Sequence, residues 1–223
     1  MKHFRTILAS AVLTVAVCAA CAALTTTPDD WKCSLAPADT GGGFYFGAKP
    51  GCQDGYDGQA SFDPAGQKGV LLLLQRTNAA RWDGPTGFYR EDFESPIPAG
   101  GSKTWLDIWL WSQDYTPVAG DRVWLSLFRD GPYAPQGWYA KLVLDYVPEA
   151  MQWTGGTEWI LGLSPGSSYA APIVPVPITA DPYNPDNVTR MHLTVYAVPE
   201  PSSLAALGLA IAGLAGVVWR RRQ

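Results

Sequence analysis

The sequence predicts an all-β protein: an antiparallel β-sandwich of about eight strands, with an N-terminal signal peptide and a C-terminal single transmembrane helix. Three observations carry the prediction. Charged residues make up only 16%, while the chain holds 23 Gly, 19 Pro and 10 Trp, a composition suited to short strands and frequent turns. Short apolar runs alternate with Gly, Pro and Asp clusters from Trp31 onward. No stretch between the two ends has sustained 3.6-residue periodicity with caps.

Residues 1–23 read as a signal peptide. Lys2 and Arg5 form a basic start, Ile7 to Val17 an apolar core, and Ala20-Cys21-Ala22 a cleavage site of the A-x-A type. Cys21, preceded by Ala19 and Ala20, also suits a lipidated cysteine, although Cys18 stands where Leu is usual. Residues 24–198 form the extracytoplasmic domain. There 11 basic residues face 19 acidic ones, a net of −8 hidden within the whole-chain −4. That acidity disfavours nucleic acid and anionic lipid as partners.

In order, the predicted strands are Phe44–Ala48, Val70–Arg76, Phe88–Phe93, Thr104–Ser112, Asp121–Arg129, Trp138–Val147, Thr157–Leu163 and Val188–Val198. Turn signals such as Asp83-Gly84-Pro85, Asp130-Gly131-Pro132 and Asn184-Pro185-Asp186 separate them. Period-2 alternation assigns faces. In Thr104–Ser112 it sets Leu106, Ile108 and Leu110 against Trp105, Asp107, Trp109 and Trp111; in Asp121–Arg129 it sets Val123, Leu125 and Leu127 against Trp124, Ser126 and Phe128. The aliphatic sets are expected between the sheets. The run Val70–Leu74 is apolar on both faces, the pattern of a covered central strand. In Val188–Val198, Met191, Leu193, Val195 and Ala197 share the inner face. The prolines of Ala171 to Pro177 restrict that segment to an extended loop or a sheet edge.

Chemistry is thin in the domain. Its one histidine, His192, lies on the last strand without a G-x-S-x-G elbow, so no catalytic residue is assigned and the domain is read as non-enzymatic. Glu91, Asp92, Glu94 and Asp107 are the carboxylates a glycosidase reading would need. Asp54, Asp57 and Asp63, in a Gly-rich loop, are candidate Ca²⁺ ligands without EF-hand spacing; no other cofactor motif is present. Cys33 and Cys52 are the cysteines left after the leader, and an oxidising compartment favours a disulfide between them. Trp105, Trp109, Trp111, Trp124 and Phe128 form a candidate carbohydrate face, with the alternative that loops cover it.

Residues 199–223 complete the chain. Val198-Pro199-Glu200-Pro201 precedes an uncharged run to Trp219, about 19 residues or ~28 Å as a helix, close to a hydrocarbon core of ~30 Å. Arg220, Arg221 and Arg222 follow and are held on the cytoplasmic side. The three parts together resemble a PEP-CTERM sorting signal, with Pro199, Glu200, Pro201 and the three arginines as its marks. The resemblance implies a Gram-negative cell with an exopolysaccharide-linked export system. It also implies an exosortase, a membrane cysteine transpeptidase, that cuts near the Pro-Glu-Pro. On that basis the protein is expected to be anchored transiently in the inner membrane with its domain outside. It then reaches the cell surface or medium as a structural or adhesive component of an exopolysaccharide or biofilm matrix. A carbohydrate-binding module and a secreted glycoside hydrolase or esterase are the competing readings.

Overall fold

In the computed structural model, the described residues are 30–38, 42–52, 61–62, 69–76, 87–113, 122–130, 133–168, 170–198 and 208. Twelve strands lie among them. The first six are β1 (Trp31–Pro37), β2 (Phe44–Ala48), β3 (Ser61–Phe62), β4 (Val70–Arg76), β5 (Gly87–Tyr89) and β6 (Glu91–Glu94). The rest are β7 (Ser102–Ser112), β8 (Arg122–Arg129), β9 (Tyr139–Tyr146), β10 (Glu158–Gly162), β11 (Ile173–Pro175) and β12 (Thr189–Tyr196). Sheet one has the order β11-β8-β1-β2-β6 and sheet two the order β10-β9-β12-β7-β4-β5-β3. The all-β, two-sheet expectation holds, with more strands than predicted and one parallel pair, β2 with β6.

The core lies between the sheets and follows period-2 alternation. Sheet one contributes Trp31, Cys33, Leu35, Phe44, Phe46, Val123, Leu125 and Leu127; sheet two contributes alternate residues of β4, β9 and β12. Trp31 packs edge-on against Phe46, Trp105 and Trp138 with ring centroids 6.0, 6.4 and 6.2 Å apart, geometry favoured by the ring quadrupoles. β1 and β2 approach so closely here that a Cβ on Gly47 would stand 2.1 Å from the Trp31 carbonyl oxygen. Only glycine fits. The back of sheet two carries a second cluster, Leu71, Leu73, Phe88, Trp109, Trp111 and Val188. This explains why β4 is apolar on both faces.

Several expectations are corrected. β1, unassigned by the sequence reading, is the central strand of sheet one. The single strand expected over Phe88–Phe93 is two strands in different sheets, with Arg90 alone between them. A bend at one residue lets a chain cross from sheet to sheet. Ile173–Pro175 takes the edge position open to a proline-bearing segment.

The third correction concerns β7. Between Met191 and Leu193, β12 advances two residues while β7 advances three, from Ile108 to Trp105. The extra residue is a bulge, and Asp107 there has a left-handed φ of 54°. The bulge resets the alternation, so Trp105 joins Ile108 and Leu110 in the core while Leu106 is 47% exposed.

Cys33 and Cys52 are not joined by a disulfide. Cys33 points into the core from β1, opposite Phe46, whereas Cys52 lies in the turn beyond the end of β2. Asp54, Asp57, Asp63 and residues 1–23 lie outside the described residues. So does the helix expected over 201–219, apart from Gly208. Among the described residues no helix is long and apolar enough to cross a membrane.

Candidate functional site

The five residues of the expected aromatic face do not come together. Trp105 is in the main core, and Trp109 and Trp111 are buried behind sheet two beside Phe88. Tyr183, on the connection to β12, packs on Phe88 at 5.3 Å. Trp124 and Phe128 stand instead on the outer face of sheet one, 53% and 50% exposed. Ser126 lies between them, and Ser34 and Tyr45 continue the row across β1 and β2. Lys32 sits over the Tyr45 ring at 3.8 Å.

Of the four carboxylates of the hydrolase reading two are engaged inside the fold, Glu91 is half-buried at the start of β6 and Asp107 is exposed. Asp92 and Glu94 are buried on β6. Arg76 pairs with the Asp92 carboxylate and donates from Nη1 to the Leu106 carbonyl at 2.6 Å. Trp105 donates from Nε1 to the Asp92 backbone oxygen at 2.9 Å. Lys103 Nζ is 3.7 Å from Glu94 Oε2 and donates to Ser95 Oγ at 2.5 Å. Asp107 is exposed on the bulge. Its pKa lies above the ordinary carboxylate value: desolvation raises it, Arg76 and Arg190 oppose, and Asp145 adds to the rise. Arg76 is the residue sequence reasoning missed. The signal was present, since a cation closes a strand apolar on both faces and a buried cation requires a partner.

His192 donates from Nδ1 to Asp145 Oδ1 at 2.7 Å on the outer face of sheet two. The Thr194 hydroxyl, two residues on, is bonded to that of Thr104 at 2.9 Å. The pair therefore fixes the orientation of the imidazole, and the Thr194 hydroxyl is engaged with Thr104. Burial pushes the Cys33 thiol up to about 12, against a smaller lowering by Arg129 and a further rise from Asp130. A thiol held protonated is a poor nucleophile and a poor metal ligand. Among the described residues no cluster of His, Cys, Asp and Glu has metal-binding geometry.

The exit from the fold is firmly held. β12 is an inner strand of sheet two, paired with β9 and β7 along its length. Beyond it, Ala197 donates to the Gly101 carbonyl at 3.0 Å and accepts from Gly100 N–H at 2.7 Å. Val198 packs against the main core. No described residue separates that ordered end from the Pro-Glu-Pro.

A two-sheet domain whose innermost pairing continues to the edge of a C-terminal signal is, as a class, a folded cargo joined directly to its sorting address. The address is identified: the family model described as the PEP-CTERM protein-sorting motif matches residues 197–222. The chain thus carries a PEP-CTERM sorting motif at its C-terminal end, and the motif implies sorting to the cell exterior by an exosortase-type membrane enzyme. No curated protein and no solved structure matches the chain.

Proposed function

We propose that this protein is an exported, non-enzymatic β-sandwich that serves as a structural or adhesive component of an exopolysaccharide or biofilm matrix and works without a cofactor. A cleaved signal peptide at residues 1–23 begins its export. The apolar run to Trp219, stopped by Arg220 to Arg222, holds it temporarily in the inner membrane until a cut near Glu200 frees the domain. The observation that carries the reading is the sorting motif over 197–222 directly following an ordered strand. A permanently anchored domain with so short a spacer would sit against the bilayer, where contact with a matrix polymer is hindered. The engagement of Asp92 and Glu94 with Arg76 and Lys103 supports the non-enzymatic part.

Intact-mass measurement of surface and medium fractions, with and without the sorting enzyme, tests the proposal. A mature form lacking Arg220 to Arg222 only when the enzyme is present is the expected result. A form that retains Arg222 in both strains would overturn it. A carbohydrate-binding module remains the second reading, now resting on the exposure of Trp124 and Phe128 alone.

A further inference from the structure

The end of the sandwich remote from the tail carries a two-lobed groove. One lobe, about 690 Å³, lies between the 3-10 turn Glu149–Met151 and the connection from β11 to β12, with Tyr146 and Ile178 on its walls. The other, about 480 Å³, is walled by Trp153 and Gln152. Pro148 and Glu149 line both lobes and form the ridge between them. β12 begins beside the first lobe and ends at the tail, so its eight residues place the groove roughly 26 Å from the exit. Each volume falls in the range of small-ligand sites.

Both aromatic rings are fixed in place. The Tyr146 hydroxyl donates to the Asp186 carbonyl at 3.4 Å, and the Arg190 guanidinium covers the ring at 4.5 Å. Trp153 donates from Nε1 to the Gly156 carbonyl at 3.1 Å, with the Arg122 guanidinium 5.4 Å from its centroid. Gly155 lies so close that a Cβ there would stand 2.1 Å from the indole. Gln152 caps the 3-10 turn with a left-handed φ of 45°, its N–H donating to the Glu149 carbonyl, and so turns the chain from the ridge to Trp153. The charged groups that line it are both carboxylates, Glu149 on the ridge and Asp186 on the wall, and the neutral side chains of Gln152, Thr154, Thr179 and Asn187 add both donors and acceptors.

A flat ring in each of two adjoining lobes, with one carboxylate between them and another on the wall of the first, fits a chain of rings that presents C–H faces to the aromatics and donors to the acids. We propose that this groove binds a linear polysaccharide strand bearing hydroxyl or amino groups and no acidic groups. The domain's net charge of −8 also opposes a polyanion. The site goes beyond the matrix reading above and uses none of the residues of the sheet-one face.

Calorimetric titration of the full-length protein in detergent with cellohexaose, a glucosamine hexamer and hexagalacturonate tests it. Binding of cellohexaose or the glucosamine hexamer is expected, and the arm that binds identifies the donor. Trp153→Ala and Glu149→Ala should each weaken binding at least tenfold with the thermal midpoint unchanged. If Trp153→Ala does not fold, Glu149→Ala carries the test. No binding of either expected probe, preference for hexagalacturonate, or unchanged affinity in folded variants would overturn the proposal. Loss of binding in Trp124→Ala but not in Trp153→Ala would likewise place the site on sheet one and overturn it. A protein that is cut and released yet binds no probe refutes the groove and leaves the sorting proposal intact.

Discussion

Replacing Arg76 by Met is the most informative single perturbation of this fold. The side chains of Arg76 and Asp92 are 10% and 4% exposed, and their ion pair joins β4 of sheet two to β6 of sheet one. Met keeps most of the aliphatic volume but removes the cation beside Asp92 and the donor to the Leu106 carbonyl. Removing one partner of a buried pair costs about 3–5 kcal/mol, mostly the penalty of the charge left behind. In a domain of this size a kcal/mol moves the thermal midpoint by ~2–4 °C, so the midpoint should fall by on the order of 10 °C. Urea unfolding followed by tryptophan fluorescence measures the loss as a lower midpoint at constant slope. The double variant Arg76→Met, Asp92→Asn leaves neither charge buried and should recover part of the loss. A single variant within about 1 kcal/mol of the parent would refute the reasoning, as would a double variant no more stable than the single.

Three further outcomes follow from the same structure. Because folding raises the Cys33 thiol from 9.0 to about 12, its contribution is complete below pH 9 and is lost as pH rises toward 12, by about 4 kcal/mol at the limit. Urea midpoints at pH 8 and 10.5 should therefore fall more steeply in the parent than in Cys33→Ala, and parallel declines would contradict this. Asp107→Gly should stabilise the protein by roughly 1 kcal/mol because φ at 107 is left-handed, while a β-branched residue there should destabilise it; thermal unfolding of Asp107→Gly and Asp107→Ile decides. Trp105→Ala should cost about 3–5 kcal/mol as a core truncation, whereas Trp124→Ala on the surface should stay within about 0.5 kcal/mol. Chemical denaturation of the two variants side by side checks the contrast, and equal losses would place Trp105 wrongly.

Regular strands were the legible part of this chain. Val70–Arg76 and Phe44–Ala48 have the bounds that alternation and turn residues predict, and β8 and β12 bury the predicted faces. β1 is absent from the predicted strands although Trp31, Cys33 and Leu35 alternate cleanly. A free thiol is small, apolar and usually buried. The aromatic face failed because Trp109 and Trp111 keep the predicted face of β7 but are covered by the second cluster, Trp124 and Phe128 belong to the other sheet, and Trp105 is turned inward by the bulge. One inserted residue inverts every side chain beyond it, and nothing in Trp105-Leu106-Asp107-Ile108 marks the insertion except an Asp able to tolerate a left-handed backbone. The groove combines residues from two connections, which no local pattern associates.

The two irregularities that defeated alternation meet at one side chain. Leu106, beside the bulge, has no paired residue on β4 or β12, and its carbonyl receives Arg76 Nη1. Asp92 follows two residues after the point where the chain leaves sheet two for sheet one, and it pairs with the same guanidinium. The Leu106 carbonyl, part-buried and out of the ladder, takes its donor from Arg76 instead, and a carboxylate carried into a core needs a cation. Arginine, with several donors on a rigid fork, meets both needs from one position. Trp105 closes the arrangement, since the bulge that turns it inward also brings its Nε1 to the Asp92 backbone oxygen. The bulge, the sheet switch and the charge pair are therefore one feature: each supplies a hydrogen-bond or charge partner that another needs. That coupling explains why a fold so poor in charge keeps an arginine in its wall.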